Sequence, residues 1–278
     1  MNYSPAKIVA SGSAAPPMET EKTRKPLVRA QHVNKTYSNG TVALKDLNLD
    51  VYPHEFISLL GPSGCGKSTA LRIFAGLGAY SGGTMDWPQS MYDVSGKPER
   101  EVGFVFQEPT LMPWATVFDN VYLPHRLKDR PKAEVADRVR EVLELVGLSN
   151  FANAYPRELS GGMKMRVSVA RALVTRPKLL LMDEPFAALD EITRTRLSND
   201  LLEIWSLAKC TVMFVTHSVF ESVFLSQRIV VMAARPGRII GELQVNAPYP
   251  RTKEYRLSSE YSEHCREVSG LLDVAMRS

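Results

Sequence analysis

Residues 61–69 read GPSGCGKST: Gly61, four further residues, then Gly66-Lys67-Ser68. This is the spacing of a loop that wraps phosphate. Glycines let the backbone curl so that successive N–H groups point inward at phosphate oxygens. In this pattern Gly61, Pro62, Ser63, Gly64, Cys65, Gly66 and Thr69 shape the loop, Lys67 reaches the terminal phosphates, and Ser68 offers a hydroxyl to Mg2+. An apolar run, Phe56-Ile57-Ser58-Leu59-Leu60, precedes the loop, and a helical pattern follows it. A chance match somewhere in a chain of this composition has a probability of roughly one per cent.

Two more stretches carry chemistry. LLLMDEP, residues 179–185, ends an apolar run on Asp183-Glu184. Ligands of parallel sheets sit at the carboxyl ends of such strands. There Asp183 can hold Mg2+, and Glu184 can polarise an attacking water. ELSGGMKMRVSVARA, residues 158–172, opens on Ser160-Gly161-Gly162 and continues with Met163, Val167, Ala170 and Val174 at helical spacing. Uncovered N–H groups at a helix start attract anions. The alternative is a simple helix cap at Ser160. Cys65 can be read as an acidified, reactive thiol at a helix start or as a small residue that fits its loop. The second reading is preferred. The first predicts that alkylation blocks nucleotide binding.

These residues must be held by a folded scaffold. The chain has 278 residues, 44% hydrophobic and 23% charged, which is enough apolar content for a sizeable core. A net charge of +4 is too mild to imply nucleic acid. Three cysteines without metal-like spacing point to a reducing, intracellular setting. No segment approaches the ~18 consecutive apolar residues of a membrane span, and the first residues lack the apolar core of a signal peptide.

Strand-like runs lie at 27–51, with a Ser38-Asn39-Gly40 turn, and at 56–60, 101–106, 179–182, 212–215 and 229–232. Helical patterns lie near 68–76, 133–146 and 158–174, and within 109–124, where Val117, Phe118, Val121 and Tyr122 share a face. Pro236-Gly237 marks a late hairpin, and the end from Ser258 reads as a polar helix. The expected fold is α/β: a phosphate-loop NTPase core with a mainly parallel sheet, an N-terminal antiparallel β portion and an inserted helical subdomain at about 108–173. Residues 1–26 are expected to be a flexible tail, 27–245 the ATPase domain and 246–278 a C-terminal extension.

Seven motifs in order over residues 27–245 resemble the ATPase subunits of ABC transporters. Tyr37 matches the aromatic residue that stacks on adenine, and Gln107 the glutamine that senses Mg2+ and the γ-phosphate. Leu159-Ser160-Gly161-Gly162 matches the signature motif, Ala188-Leu189-Asp190 the loop that crosses between subunits, and His217 the histidine on the γ-phosphate. Singly, Tyr37 reads equally as a packed aromatic and His217 as a satisfied core histidine. The resemblance implies ATP and Mg2+ as ligands and hydrolysis with Glu184, His217 and Lys67 as catalytic residues. Ser68, Gln107 and Asp183 would serve the metal. It also implies a head-to-tail homodimer, in which the Ser160–Gly162 turn of one copy meets the γ-phosphate held by the other.

Most family signatures carry glutamine after the glycines, where this chain has Met163. Methionine cannot return the hydrogen bond of a capping box. Met163 and the wording Leu111-Met112-Pro113-Trp114 are similar to the nitrate, sulfonate and taurine importer branch, and the latter resembles the family's membrane-facing loop. The resemblance therefore implies two separate integral-membrane permease subunits, an indirect periplasmic or extracellular solute-binding protein, no nucleic acid, and a peripheral place on the cytoplasmic face of the inner membrane. Two other readings compete. A soluble ABC-type ATPase of translation or DNA repair usually joins two ATPase units or inserts a coiled coil. A phosphate-loop kinase leaves residues 159–162 and 217 without a role.

Overall fold

A computed structural model describes residues 24–92, 98 and 100–277. Most of the expected N-terminal tail, residues 1–23, lies outside the described residues. In chain order the elements are β1 (Val28–Thr36), β2 (Val42–Val51), β3 (Phe56–Leu60), α1 (Lys67–Phe74), β4 (Gly82–Asp86), β5 (Val102–Val105), α2 (Val117–Arg126), α3 (Lys132–Leu145), α4 (Gly161–Leu173), β6 (Leu179–Asp183), α5 (Glu191–Ala208), β7 (Thr211–Thr216), α6 (Val219–Leu225), β8 (Arg228–Ala233), β9 (Arg238–Gln244), α7 (Lys253–Arg256) and α8 (Ser259–Arg277). Two short 3-10 turns, Ser149–Phe151 and Pro156–Glu158, separate α3 from α4.

The central sheet has six strands in the order β5-β6-β7-β3-β8-β9, parallel except for β9 against β8. Every residue of β3, β6, β7 and β8 is buried, because helices or a second sheet cover both faces. Their side chains alternate between two cores. Phe56, Leu60, Leu180, Met182, Phe214 and Val231 face the core shared with α4, α5 and α6. Ile57, Leu59, Leu181, Met213, Val215 and Met232 face the core shared with α1 and the small sheet. Each such fully buried aliphatic or aromatic side chain contributes about 1.5–3 kcal/mol.

The small sheet is antiparallel, in the order β2-β1-β4. Its first turn is the expected one: the Gly40 N–H donates to the Tyr37 carbonyl at 2.9 Å, with Gly40 at φ 82°. Strand β4 is an addition to the sequence reading. Its run GGTMD has too little apolar alternation to announce a strand, and it forms because β1 offers an open edge.

The helical insert follows β5. A buried Asn120 on α2 pins the loop before it, accepting from the Met112 N–H and donating to the carbonyls of Met112, Ala115 and Thr116. Val117 and Val121 enter the core, with Phe118 and Tyr122 packed beside them. The last helix corrects an expectation. Rather than polar all round, α8 buries Tyr261, Cys265, Val268 and Ala275 along one stripe against α6 and β8. The intervening glutamates and arginines are its solvent face, and in the sequence their number masks the apolar stripe.

Candidate functional site

The phosphate loop follows β3 directly, as its residues require. Gly66 caps α1 at φ 95°, a left-handed conformation that other residues adopt at a cost. Gly61 is closely packed: a Cβ there would lie 2.5 Å from the Met232 carbonyl oxygen and 2.8 Å from the Cys65 sulfur. A Cβ on Gly64 would meet nothing within 4 Å, so this side of the loop is open for a ligand. The first N–H groups of a helix have no carbonyl one turn back, which leaves those at the start of α1 available to an anion. Ser63 and Gly64 are exposed, while Pro62 and Thr69 are half-buried.

Lys67 is buried inside this loop. Its ammonium donates to the carbonyls of Gly61 at 2.9 Å and Pro62 at 3.0 Å and lies 3.4 Å from Glu184 Oε1. Ser68 Oγ donates to Asp183 Oδ1 at 2.7 Å. Burial pushes the Asp183 carboxyl up, against the opposing pull of the Ser68 hydroxyl and Arg72. Residue 184 sits at φ 44°, the left-handed region, with its N–H donated to Val215 at 3.0 Å. Such a backbone costs about 1–3 kcal/mol and is characteristic of functional positions. It turns the Glu184 carboxylate toward Lys67 and toward His217, whose Nδ1 lies 3.0 Å from Oε2. Because a carboxylate only accepts, Nδ1 carries the proton in this pair.

Lys67, Ser68, Asp183, Glu184 and His217 are thus one cluster, assembled from the start of α1 and the ends of β6 and β7. The Tyr37 hydroxyl reaches Thr69 Oγ1 at 3.2 Å, which places its half-exposed ring beside the loop. Gln107 is exposed just after β5. Cys65 does not have the acidified thiol of the first reading: burial pushes it up, and it fills space under the loop.

The Ser160–Gly162 turn lies elsewhere. It begins α4 in the helical insert, and among the described residues no hydrogen bond joins it to the cluster. Ser160 Oγ accepts from the Met163 N–H at 3.3 Å, forming one half of a capping box. Gly162 lies close to α5, where an added Cβ would meet Thr193 Cγ2 at 3.1 Å. Asp190 caps α5 by accepting from the Thr193 N–H at 3.0 Å. That bond holds its carboxyl below the usual range.

Sequence reading missed three side chains that hold these segments. Arg171 on α4 donates to the carbonyls of Pro109 and Thr110, tying the segment after Gln107 to the helix that begins at residue 161. Arg194 and Glu221 lie behind His217 and Asp190. Glu221 left a signal: it is the one charged residue in the mostly apolar run VFESVFL. A groove of about 510 Å³ between β5 and the insert is lined by Phe104, Leu123, Leu127 and Arg171, among others. Leu111, Met112 and Trp114, in the segment that resembles a membrane-facing loop, lie outside the walls of this groove. Leu111 and Met112 are half-buried, and Trp114 stands in solvent.

The doubly covered parallel sheet, with a phosphate loop after one strand and an acid pair ending its neighbour but one, defines a phosphate-loop nucleotide-binding protein. Comparison with known proteins narrows this class. The ABC transporter family matches residues 44–187. The aliphatic sulfonates import ATP-binding protein SsuB of Bacillus cereus is 44% identical over 225 residues, covering 80% of this chain and 87% of that protein. The nitrate import ATP-binding protein NrtD of Synechocystis sp. is 44% identical over 239 residues, covering 84% and 89%. The chain belongs to the ATP-binding subunits of the ABC transporter family. Among solved structures, cbiO1 of Clostridium perfringens, part of an ABC transporter complex, superposes with a TM-score of 0.72 at 29% identity over 87% of this chain and 99% of that one. A dimeric ATP-binding cassette in a post-hydrolysis state with ADP and Pi gives a TM-score of 0.66 at 33% identity, covering 80% and 100%.

Proposed function

We propose that this chain hydrolyses ATP as one half of a homodimer and so energises solute import through separate membrane permease subunits, of the nitrate or sulfonate type. The observation that carries the reading is the cluster at Glu184: a carboxylate at the end of β6, held between the Lys67 ammonium and His217 Nδ1. In this reading Glu184 accepts the proton of the attacking water, and His217 fixes the carboxylate's orientation. Lys67 and the loop N–H groups stabilise charge on the transferred phosphoryl oxygens.

The residues present fit Mg2+. Ser68 and Asp183 bring two hard oxygens together at 2.7 Å, and the exposed Gln107 is the third ligand that the family resemblance assigns. Among the described residues no group of three or more His, Cys, Asp or Glu could form an all-protein metal site. That pattern suits a cation held by one carboxylate, a hydroxyl and the nucleotide's own phosphates. When bound, the ion supplies charge neutralisation at the phosphates.

The separation of Ser160–Gly162 from the cluster supports a partner chain as the source of the second half of the site. Its capped helix start, with two glycines, suits the γ-phosphate held by the other copy. No described helix is long and apolar enough to cross a membrane, so the permease is assigned to other polypeptides, docked at the insert. We place the protein on the cytoplasmic face of the membrane and assign solute capture to a separate binding protein. The relatives named as import ATP-binding proteins favour this over a soluble ATPase of translation or repair.

Glu184→Gln tests the reading. It keeps the size and one acceptor but removes the base. ATP binding is expected to persist, turnover to fall by a factor of about 100 or more, and an ATP-bound dimer to accumulate on gel filtration. Normal turnover by this variant overturns the role assigned to Glu184.

A further inference from the structure

Around the backbone that carries His217 lies a second polar cluster, centred on Glu221 and Arg194, that none of the recognised motifs includes. Glu221 is buried on α6, and its Oε2 accepts the hydroxyl hydrogen of Thr216, the residue before His217. The same Thr216 oxygen accepts from the N–H of Ser218, the residue after it, at 3.0 Å. Ser218 in turn caps α6 by accepting from the Glu221 N–H at 3.3 Å. The backbone on both sides of His217 is therefore clamped by one carboxylate and one hydroxyl.

The other oxygen of Glu221 meets α5. Arg194 Nε lies 3.5 Å from Oε1, and Arg194 Nη2 donates at 3.1 Å to the carbonyl of Leu189, in the loop of residues 188–190. That loop runs back to the catalytic cluster: Leu189 donates its N–H to Phe186, and Ala187 donates its N–H to Glu184. The contacts close a ring. One arc is the direct Glu184–His217 bond; the other passes from Glu184 through the 188–190 loop, Arg194 and Glu221 to Thr216 and His217. Arg194 holds Glu221 as an ion pair without a hydrogen bond from Nε, hydrogen-bonds the Leu189 carbonyl through Nη2, and has a second ion-pair contact with the exposed Glu191 at 3.5 Å, so its planar guanidinium spans the carboxylate and the loop. A buried carboxylate in an apolar helix is expensive unless paired, so its presence here needs a reason beyond packing.

We propose that Arg194 and Glu221 are a positioning pair that couples the placement of the 188–190 loop to the orientation of His217 and, through it, of Glu184. The inference rests on the ATPase reading above and deepens it. The 188–190 loop is the segment assigned to the crossing between subunits. A partner that moves Leu189 therefore shifts Arg194, and with it the clamp on His217. Among the described residues, the hydrogen bonds and ion pairs of both side chains run to Leu189, Glu191, Thr216 and each other, and not to the phosphate loop, Asp183 or Glu184. Turnover then responds to the docked partner without any new contact from the partner to the base.

The test uses the full chain with Arg194→Gln, Glu221→Gln and the double variant, measuring phosphate release, KM for ATP and the thermal midpoint. Each single variant is expected to lower kcat by about tenfold, with KM unchanged within about twofold, and the double variant to fall no further than the weaker single. In a Glu184→Gln background, Arg194→Gln is expected to form the ATP-bound dimer at the same protein concentration as its parent. Arg194→Lys keeps the charge but gathers it on one nitrogen, which cannot occupy both the Nε place beside Glu221 and the Nη2 place beside Leu189, so it is expected to lose kcat similarly at an undisturbed midpoint. This arm decides the matter if Glu221→Gln folds poorly. Multiplicative losses in the double variant overturn the proposal, as does a raised KM at normal kcat. Loss of the dimer also overturns it, because the pair would then act in docking rather than after it. If Glu184→Gln itself turns over normally, the ATPase reading fails. If that variant is inactive while the pair behaves additively, only the coupling fails.

Discussion

The C-terminal extension supports the element that follows His217, and Arg251 shows how. Helix α6 runs for only seven residues, and its last carbonyls have no N–H one turn ahead to satisfy them. Arg251, almost fully buried, donates through Nη1 to Val223, Phe224 and Ser226 at 2.7–3.1 Å and through Nη2 to Val245 and Ala247 at 3.1 and 3.3 Å. The Tyr249 hydroxyl takes the remaining helix-end carbonyl, Leu225, at 2.7 Å. Burial lowers the pKa of Arg251 below its usual value, yet a guanidinium remains charged at neutral pH. Its cation also complements the negative end of α6.

Replacing Arg251 by Met keeps much of the stem and removes the donors. Three buried helix-end acceptors are orphaned at about 1–3 kcal/mol each, and relief of the guanidinium's own desolvation offsets part of this. The expected net loss is about 4 kcal/mol. Urea unfolding followed by circular dichroism should show this as a midpoint lowered by about 1 M. Hydrogen exchange should quicken first in α6 and α8. A loss below about 1 kcal/mol, or exchange unchanged in α6, refutes the view that the extension caps this helix.

Further expectations follow from the same geometry. Cys65 is buried with a raised pKa, so maleimide labelling in native buffer should be far slower than labelling of the unfolded chain; equal rates would contradict the packing described. The depressed Asp190 carboxyl contributes stability that is present above its unfolded pKa and lost as pH falls through its lower folded value. Asp190→Asn, which keeps a capping acceptor, should therefore flatten the acid limb of the stability profile below about pH 4. A variant with an unchanged acid limb would remove Asp190 from the linkage.

The sequence alone determined the elements whose conformation is set by neighbours in the chain. Nine residues suffice for the phosphate loop, because Gly64 and Gly66 take left-handed backbone and the run before them can only be a covered strand. The parallel core was legible for the same reason: strands buried on both faces are apolar throughout. The signature turn was legible as a capped helix start. β4 was not, since a glycine-rich edge strand forms only where β1 waits for it, and the buried stripe of α8 was hidden among its charges. Tertiary structure alone decided which polar groups meet. Ser68 finds Asp183 across 115 positions, and His217 finds Glu184 across 33. Arg251 and the Arg194–Glu221 pair have partners that no local pattern announces. A side chain's type and spacing tell what it can bond, but its partner is fixed by sheet order and helix packing. Those depend on the whole core rather than on any one stretch of chain.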